Sequence, residues 1–340
     1  MTHTKSLSAL GVAALLCVST AMPALAQDNP GEGTSITMAR PTWDTGWFHT
    51  EIYAQMLEEL GYTIENTLTL DNPVFYESVA FGDVTMWVDG WFPLHNTYRD
   101  TFEGRAEVVG AVAEGGALEG YLVDKATAEE LDITSLEDFK RDEVKEAFDR
   151  NGDGLADFVA CPPGWGCEVN IEHHLDAYGL REHVNPIKAG YSASMADAVA
   201  AYESGESIFF YTWTPNWTVN ELVPGEDVVW IEVPEVDLPE DLMHLADAAT
   251  MEGVEGCVSD PCTLGFPAND IVPVVNSAFL DDNAAVRALL EEVDIPLSDI
   301  FEQNAAMQEG DDDIEAQATT WIEENRDQVD QWLEAARAAQ

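Results

Sequence analysis

Ile36-Thr-Met-Ala-Arg40 opens the stretch that decides the fold. It is strand-like, and Phe48, Ile52, Tyr53, Met56, Leu57 and Leu60 follow at helical spacing, with Gly61 as the stop. Tyr62-Thr-Ile64 through Leu68-Thr-Leu70 is strand-like again. Residues 74–81 predict a short helix ended by Gly82-Asp83, and Thr85-Met-Trp-Val88 predicts a third strand. This βαβαβ order implies a mostly parallel sheet flanked by helices, because parallel neighbours need a helical crossover. A similar rhythm returns later, with helices over 168–178 and 195–204 and the strand Ile208-Phe-Phe-Tyr-Thr212. Two α/β units of similar size are expected, and the small-residue stretch 110–120 is expected to connect them. Residues 235–267 lack periodicity and predict a long surface excursion, after which Ile271-Val-Pro-Val-Val275 predicts a strand. Helices are predicted over 284–293, 297–307 and 313–338, the last with Ile314, Trp321, Val329 and Trp332 on roughly one face for docking.

A chain of 340 residues with 46% hydrophobic content and 10 Trp has the material for two or three packed domains and is not a disordered chain. Its 65 acids against 14 Lys and Arg give a net charge of −51. That argues against nucleic acid and anionic membrane surfaces as partners, since both need clustered cations on the protein. The acids are spread along the whole chain: an ordinary solvated surface accounts for them, and adaptation to high salt, where a dense carboxylate shell stays hydrated and its self-repulsion is screened, is the sharper reading.

Residues 1–26 have the pattern of a signal peptide: Lys5, an apolar run over 9–18 too short to span a bilayer, and Ala24-Leu25-Ala26 as a cleavage site before Gln27. Cys17 follows Leu16 rather than the small residue that a lipid-attachment site wants. Four cysteines remain after cleavage, an even number in an exported chain. They allow three pairings, and loop closure is least costly between near neighbours, which favours Cys161–Cys167 and Cys257–Cys262. The alternative is a Cys₄ zinc site, against which stand the wide spacings and the oxidising compartment.

No G-x-S-x-G elbow or H-E-x-x-H motif is present, and no paired acid/base constellation stands out. Glu172-His173-His174 puts its two histidines on different faces of a helix, where they could not chelate one ion together. Asp149-Arg-Asn-Gly-Asp-Gly-Leu-Ala-Asp157 matches the first nine places of a calcium loop. Ala160 stands at the twelfth place, where the bidentate carboxylate belongs, and a turn built by Asn-Gly and Asp-Gly explains the same residues without calcium.

The strongest signal is aromatic. Val88-Asp-Gly-Trp91-Phe-Pro-Leu-His95, Cys161-Pro-Pro-Gly-Trp165-Gly-Cys167 and Phe210-Tyr-Thr-Trp213-Thr-Pro-Asn-Trp217 each put Trp among Gly and Pro. Trp165 lies in a short, stiff Cys-to-Cys loop that presents it in one position. Trp91 and Trp213 follow strand-like runs, at the strand ends where ligands sit in α/β sheets. Indole faces are the best partners for a quaternary ammonium group, and core packing is the alternative use of the same residues.

These segments resemble the ProX-type periplasmic glycine betaine/proline betaine-binding proteins, the substrate-binding subunits of osmoprotectant ABC transporters. Asn151-Gly-Asp-Gly-x-Ala-Asp157, Asp227-Val-Val-Trp230 and Gln303-Asn-Ala-x-Met307 match as well, and the likeness runs in order through nearly all of the mature chain. The resemblance implies a box of Trp91, Trp165 and Trp213 around the trimethylammonium group. It implies a carboxylate grip from His95 and the backbone N–H groups of Gly166 and Cys167. It also implies a two-lobed (type II-like) binding-protein fold with the ligand in the inter-lobe cleft. Two departures stand out: Phe92 where a small polar residue is expected, and residues 253–262 with their own Cys pair.

The expected protein is thus an exported, periplasmic, monomeric binder of glycine betaine, without enzymatic activity or a required cofactor, serving an inner-membrane ABC permease. Residues 27–118 plus 270–340 are expected to form one lobe and 119–269 the other. The alternatives are another quaternary or sulfonium osmolyte (proline betaine, choline, dimethylsulfoniopropionate) or, in a different class, a secreted Trp-lined enzyme acting on sugars.

Overall fold

The computed structural model describes Met1 and residues 29–339. The expected signal peptide, with Lys5, Cys17 and the 26/27 cleavage site, lies outside the described residues. The rest folds as two main sheets flanked by helices, plus a two-stranded ribbon of Thr250–Met251 and Cys262–Thr263. In the first, Ser35–Ile36 runs parallel to Thr63–Ile64, and Ala39–Pro41 runs parallel to Leu68–Leu70. A parallel bridge from Met38 to Met86 joins these strands to Met86–Phe92. Next comes the long strand Asn269–Asn276, which also pairs with Ala106–Val108 and Ala113–Ala117. The second sheet has the spatial order Val184–Ile187, Ala156–Val159, Phe209–Trp213, Glu119–Asp124, Val228–Ile231.

Both sheets are mixed rather than mostly parallel. Asn269–Asn276 is antiparallel to all three of its partners, and Glu119–Asp124 is antiparallel to both neighbours. These two strands border the places where the chain changes sheets, and they return alongside strands laid down in the other direction. The predicted loop over 110–120 is also corrected. Ala113–Ala117 pairs in the first sheet and Glu119–Asp124 in the second, so Leu118 alone stands between them. Ala-Glu-Gly-Gly-Ala carries no alternation of apolar side chains, so its strand does not show in the pattern.

The helix Trp47–Glu59 buries Phe48, Ile52, Tyr53, Met56 and Leu57, the positions picked out by spacing. Strand Met86–Phe92 is buried along its whole length. The predicted helix over 313–338 is two helices, Ile314–Glu324 and Arg326–Ala338. Asn325 between them donates its side-chain amide to Trp321 O at 2.9 Å, a local bond that competes with helix continuation. Trp321, Val329 and Trp332 are buried as docking residues, and Ile314 is partly so.

Both near-neighbour disulfides form, Cys161–Cys167 and Cys257–Cys262. The second staples a segment with a clear structural use. Trp230 N donates to Gly256 O at 3.0 Å and Val258 N to Trp230 O at 3.1 Å. Residues 256–258 therefore cover the outer side of edge strand Val228–Ile231 and remove an open pairing edge.

Candidate functional site: an aromatic cage between the sheets

Three strand ends converge where the sheets face each other. Ala39–Pro41 leads into Trp43, Met86–Phe92 carries Trp91, and Phe209–Trp213 ends on Trp213. From the second sheet's side, the stapled loop brings Trp165 to the start of helix Gly166–Ala177. Together with Leu94, His95, Glu119, Gly166, Cys167 and Tyr211, these indoles line one pocket. Trp165 meets Trp43 edge-on at 5.0 Å between ring centroids and Trp213 at 5.6 Å. The sequence-predicted residues Trp91, His95, Trp165, Gly166, Cys167 and Trp213 are thus brought together in one place.

Three of the four indole N–H groups are already committed. Trp91 Nε1 donates to Asp89 Oδ1 at 3.1 Å, Trp165 Nε1 to Thr42 Oγ1 at 2.8 Å, and Trp213 Nε1 to Thr45 Oγ1 at 3.3 Å. Their carbon surfaces are what remains for a ligand. That suits a cation with no hydrogen to donate, for which an aromatic face within about 6 Å is the attractive partner. Two of these bonds, with Tyr98 OH to Gly164 O and Ser192 Oγ to Asp44 Oδ2, tie first-sheet segments to second-sheet segments across the cleft. The cleft is closed.

The same pocket wall carries backbone donors. The first N–H groups of a helix have no intrahelical acceptor, and Trp165 gives helix Gly166–Ala177 no side-chain cap. Gly166 N–H and Cys167 N–H therefore stand at the pocket wall at the positive end of a helix, a ready site for an anion.

His95 is buried, and burial lowers its pKa to about 3, so the ring is neutral. Trp91 N–H donates to Nδ1 at 3.1 Å, and a backbone N–H can only donate. The ring proton therefore sits on Nε2, which faces the Asn72 amide at 2.8 Å. That pairing puts the amide oxygen of Asn72 toward the ring. Tyr76 OH completes the set at 2.8 Å from Nδ1. Both ring nitrogens are engaged by the protein.

Sequence reasoning missed Trp43, Leu94, Glu119 and Tyr211. Pro41-Thr-Trp43 has the same Pro-plus-Trp character at a strand end as the three contexts it did find. No local signal marks Glu119, the single acid within Gly115–Tyr121. Phe92 is not part of the pocket wall; it packs against Phe102 with the Arg99 guanidinium 4.6 Å over its ring. His173 pairs with Asp237 at 2.9 Å while His174 meets Tyr121 OH at 2.7 Å, so the two rings do point apart. In the 149–157 loop, Asp149 accepts the N–H groups of Gly152, Asp153 and Gly154, and Asp157 accepts from Asn151 and Asn185. Among the described residues no group of three or more His, Cys, Asp or Glu is placed to hold a metal ion.

Residues 34–324 match the family model of the substrate-binding domain of ABC-type glycine betaine transport systems. The chain belongs to this family. The glycine betaine-binding periplasmic protein OusX of Dickeya dadantii is 39% identical over 318 residues, covering 92% of this chain and 93% of the relative. The glycine betaine/proline betaine-binding periplasmic protein of Escherichia coli is 38% identical over 319 residues, covering 93% and 94%. In fold, the chain is similar to lactococcal OpuAC in its closed, glycine betaine-bound conformation. The TM-score is 0.67 at 19% identity, over 88% of this chain and 99% of that one. The glycine betaine/L-proline-binding protein of Borrelia burgdorferi gives 0.70 at 16% identity, over 90% and 99%. These binding proteins serve transport, and among the described residues no helix is long and apolar enough to cross a membrane.

Because Trp165, Gly166 and Cys167 sit in or at the edge of the Cys161–Cys167 ring, the disulfide is expected to preset the binding loop. The ring is short, so its chain-entropy contribution to stability is about 2 kcal/mol. Cys161→Ser with Cys167→Ser is expected to weaken ligand binding by more than it lowers stability. Titration calorimetry beside urea unfolding checks this, and unchanged affinity in the double variant would refute it.

Proposed function

We propose that the protein captures glycine betaine in the periplasm and delivers it unchanged to an ABC importer. The observation that carries this is the cage itself. One pocket wall combines indole carbon faces, which suit a quaternary ammonium group, with two uncommitted helix N–H groups, which suit a carboxylate. Trp91, Trp165 and Trp213, joined by Trp43, enclose the trimethylammonium group. Gly166 N–H and Cys167 N–H hold the carboxylate, and His95 adds its Nε2–H by exchanging Asn72 for the ligand. The mobile units are 27–118 plus 270–340 and 119–269, linked by the crossings at Leu118 and just before Asn269. Export uses residues 1–26 as a leader removed after Ala26, which N-terminal sequencing of the secreted protein would check. On this reading no cofactor is needed. The choline-binding structure among the fold neighbours makes choline the first competitor to test.

Intrinsic Trp fluorescence, titrated with glycine betaine, proline betaine, choline and dimethylsulfoniopropionate, tests the reading; glycine betaine should bind most tightly and be recovered unchanged. Contact with indole faces acts at short range, whereas attraction by surface carboxylates is screened beyond about 8 Å even at physiological salt. Affinity is therefore expected to vary less than about fivefold from dilute buffer to molar NaCl, despite a net charge of −51. A collapse of affinity in molar salt would refute cation–π contact as its basis.

A further inference from the structure

Glu119 is the one carboxyl group among the described residues that line the cage, and it is buried. Its surroundings fix how it is used. Leu94 N–H donates to Asn269 Oδ1 at 2.9 Å, and since an N–H can only donate, the Asn269 amide orientation is set. Asn269 Nδ2 must then face Glu119 Oε2, which accepts it at 2.7 Å. Tyr211 OH reaches the other oxygen, Oε1. Both carboxyl oxygens are thus offered donors, an arrangement built for the ionised form, while burial without a counter-cation opposes ionisation. Resting on the functional reading above, we propose that Glu119 is the counter-charge of the bound quaternary cation, and that ligand binding displaces its proton.

The opposing effects leave its pKa at about 7, raised mainly by burial and held back by Tyr211 and Asn269. The groups around it do not titrate in the same range. Tyr211 on Phe209–Trp213 and Tyr121 on Glu119's own strand are both pushed well above the usual tyrosine range, chiefly by burial. His95, also in the pocket wall, is neutral down to about pH 3. Asn269 from the return strand carries no charge, and its neighbour Asp270 is exposed and accepts Gly115 N–H away from the cage. The carboxylate of a betaine stays ionised throughout. Between pH 5 and 9, Glu119 is therefore the cage group that changes charge.

The sign follows. Protonated Glu119 offers the cation no charge, so affinity falls as pH drops through its free-state pKa. With that pKa lowered by two units or so in the complex, glycine betaine should bind about tenfold more tightly at pH 8 than at pH 6. Calorimetric titration in buffers of different ionisation enthalpy should count most of one proton released at pH 6 and about a tenth of one at pH 8. Glu119→Gln should release none, show a flat pH profile and bind at pH 8 as weakly as the wild type does at acid pH. A wild type with no proton release and a flat profile, or proton uptake instead, would overturn the assignment while leaving the function standing. So would a Glu119→Gln variant that still releases the proton. A wild type that binds no quaternary ammonium compound at any pH would overturn the functional reading and this inference with it.

Discussion

Gly166→Ala is expected to lower glycine betaine affinity thirtyfold or more without lowering the stability of the unliganded protein, whose cleft is free to open away from the clash. A Cβ at this position would lie 2.8 Å from His95 Cδ2 and 3.1 Å from two carbons of Leu94, all on the far side of the cleft. The glycine holds no special backbone angle; it opens helix Gly166–Ala177, a place alanine takes without backbone strain. The substitution is therefore comfortable within the second-sheet unit and clashes only when the first-sheet unit closes on it. Overpacking of this kind costs about 1–3 kcal/mol, and a slightly opened cleft also stretches cross-cleft bonds such as Trp165 to Thr42. The two donor N–H groups then sit too far from His95 and the cage for one ligand to reach all of them. Fluorescence titration and thermal unfolding of the apo protein check the two halves separately. Affinity within threefold of wild type would show that close approach at Gly166 is not required. A matching loss of apo stability would place the clash inside one unit instead.

The cage was legible where chemistry leaves a composition mark. Trp91, Trp165 and Trp213 stand out because a Trp flanked by Gly and Pro has no periodic apolar pattern to explain it. The Cys161–Cys167 ring told where one of them is presented. Helix Trp47–Glu59 was legible because one face meets a core and the spacing records it. What stayed hidden depends on contacts between distant segments. Ala113–Ala117 is a strand only because Asn269–Asn276 comes back to pair with it. Glu119 belongs to the cage only because Tyr211 and Asn269, 92 and 150 residues away, make a buried carboxyl tolerable there. The engagement of His95 by Asn72 and Tyr76 is hidden for the same reason. The direction of the returning strands is likewise set by how two units share one chain, which no local spacing encodes.

Trp165→Ala should reduce affinity thirtyfold to a thousandfold and also loosen closure, because this side chain does two things at once. Its face is a cage wall, worth about 0.5–2 kcal/mol toward a desolvated cation. Its Nε1–H crosses the cleft to Thr42 Oγ1 at 2.8 Å, and its ring meets Trp43 across the same gap at 5.0 Å. A hydrogen bond of this kind adds about 1 kcal/mol and an edge-on aromatic pair about 0.5–1.5 kcal/mol. Trp165→Phe keeps a flat face and loses the indole N–H, so a loss near fivefold is expected, matching the bond alone. Trp91 provides the contrast that separates the two roles. Its N–H donates to Asp89 on its own strand, so Trp91→Ala removes a wall but no bond across the cleft. Both alanine variants should bind poorly. Small-angle scattering at saturating ligand should then show full compaction for Trp91→Ala and incomplete compaction for Trp165→Ala, since ligand shifts the chain to the closed state only by contacts made there. Equal compaction in the two variants would show that the Trp165 bond to Thr42 does not help hold the cleft shut. A Trp165→Phe variant as weak as the alanine would show that the ring face contributes nothing the smaller aromatic can supply.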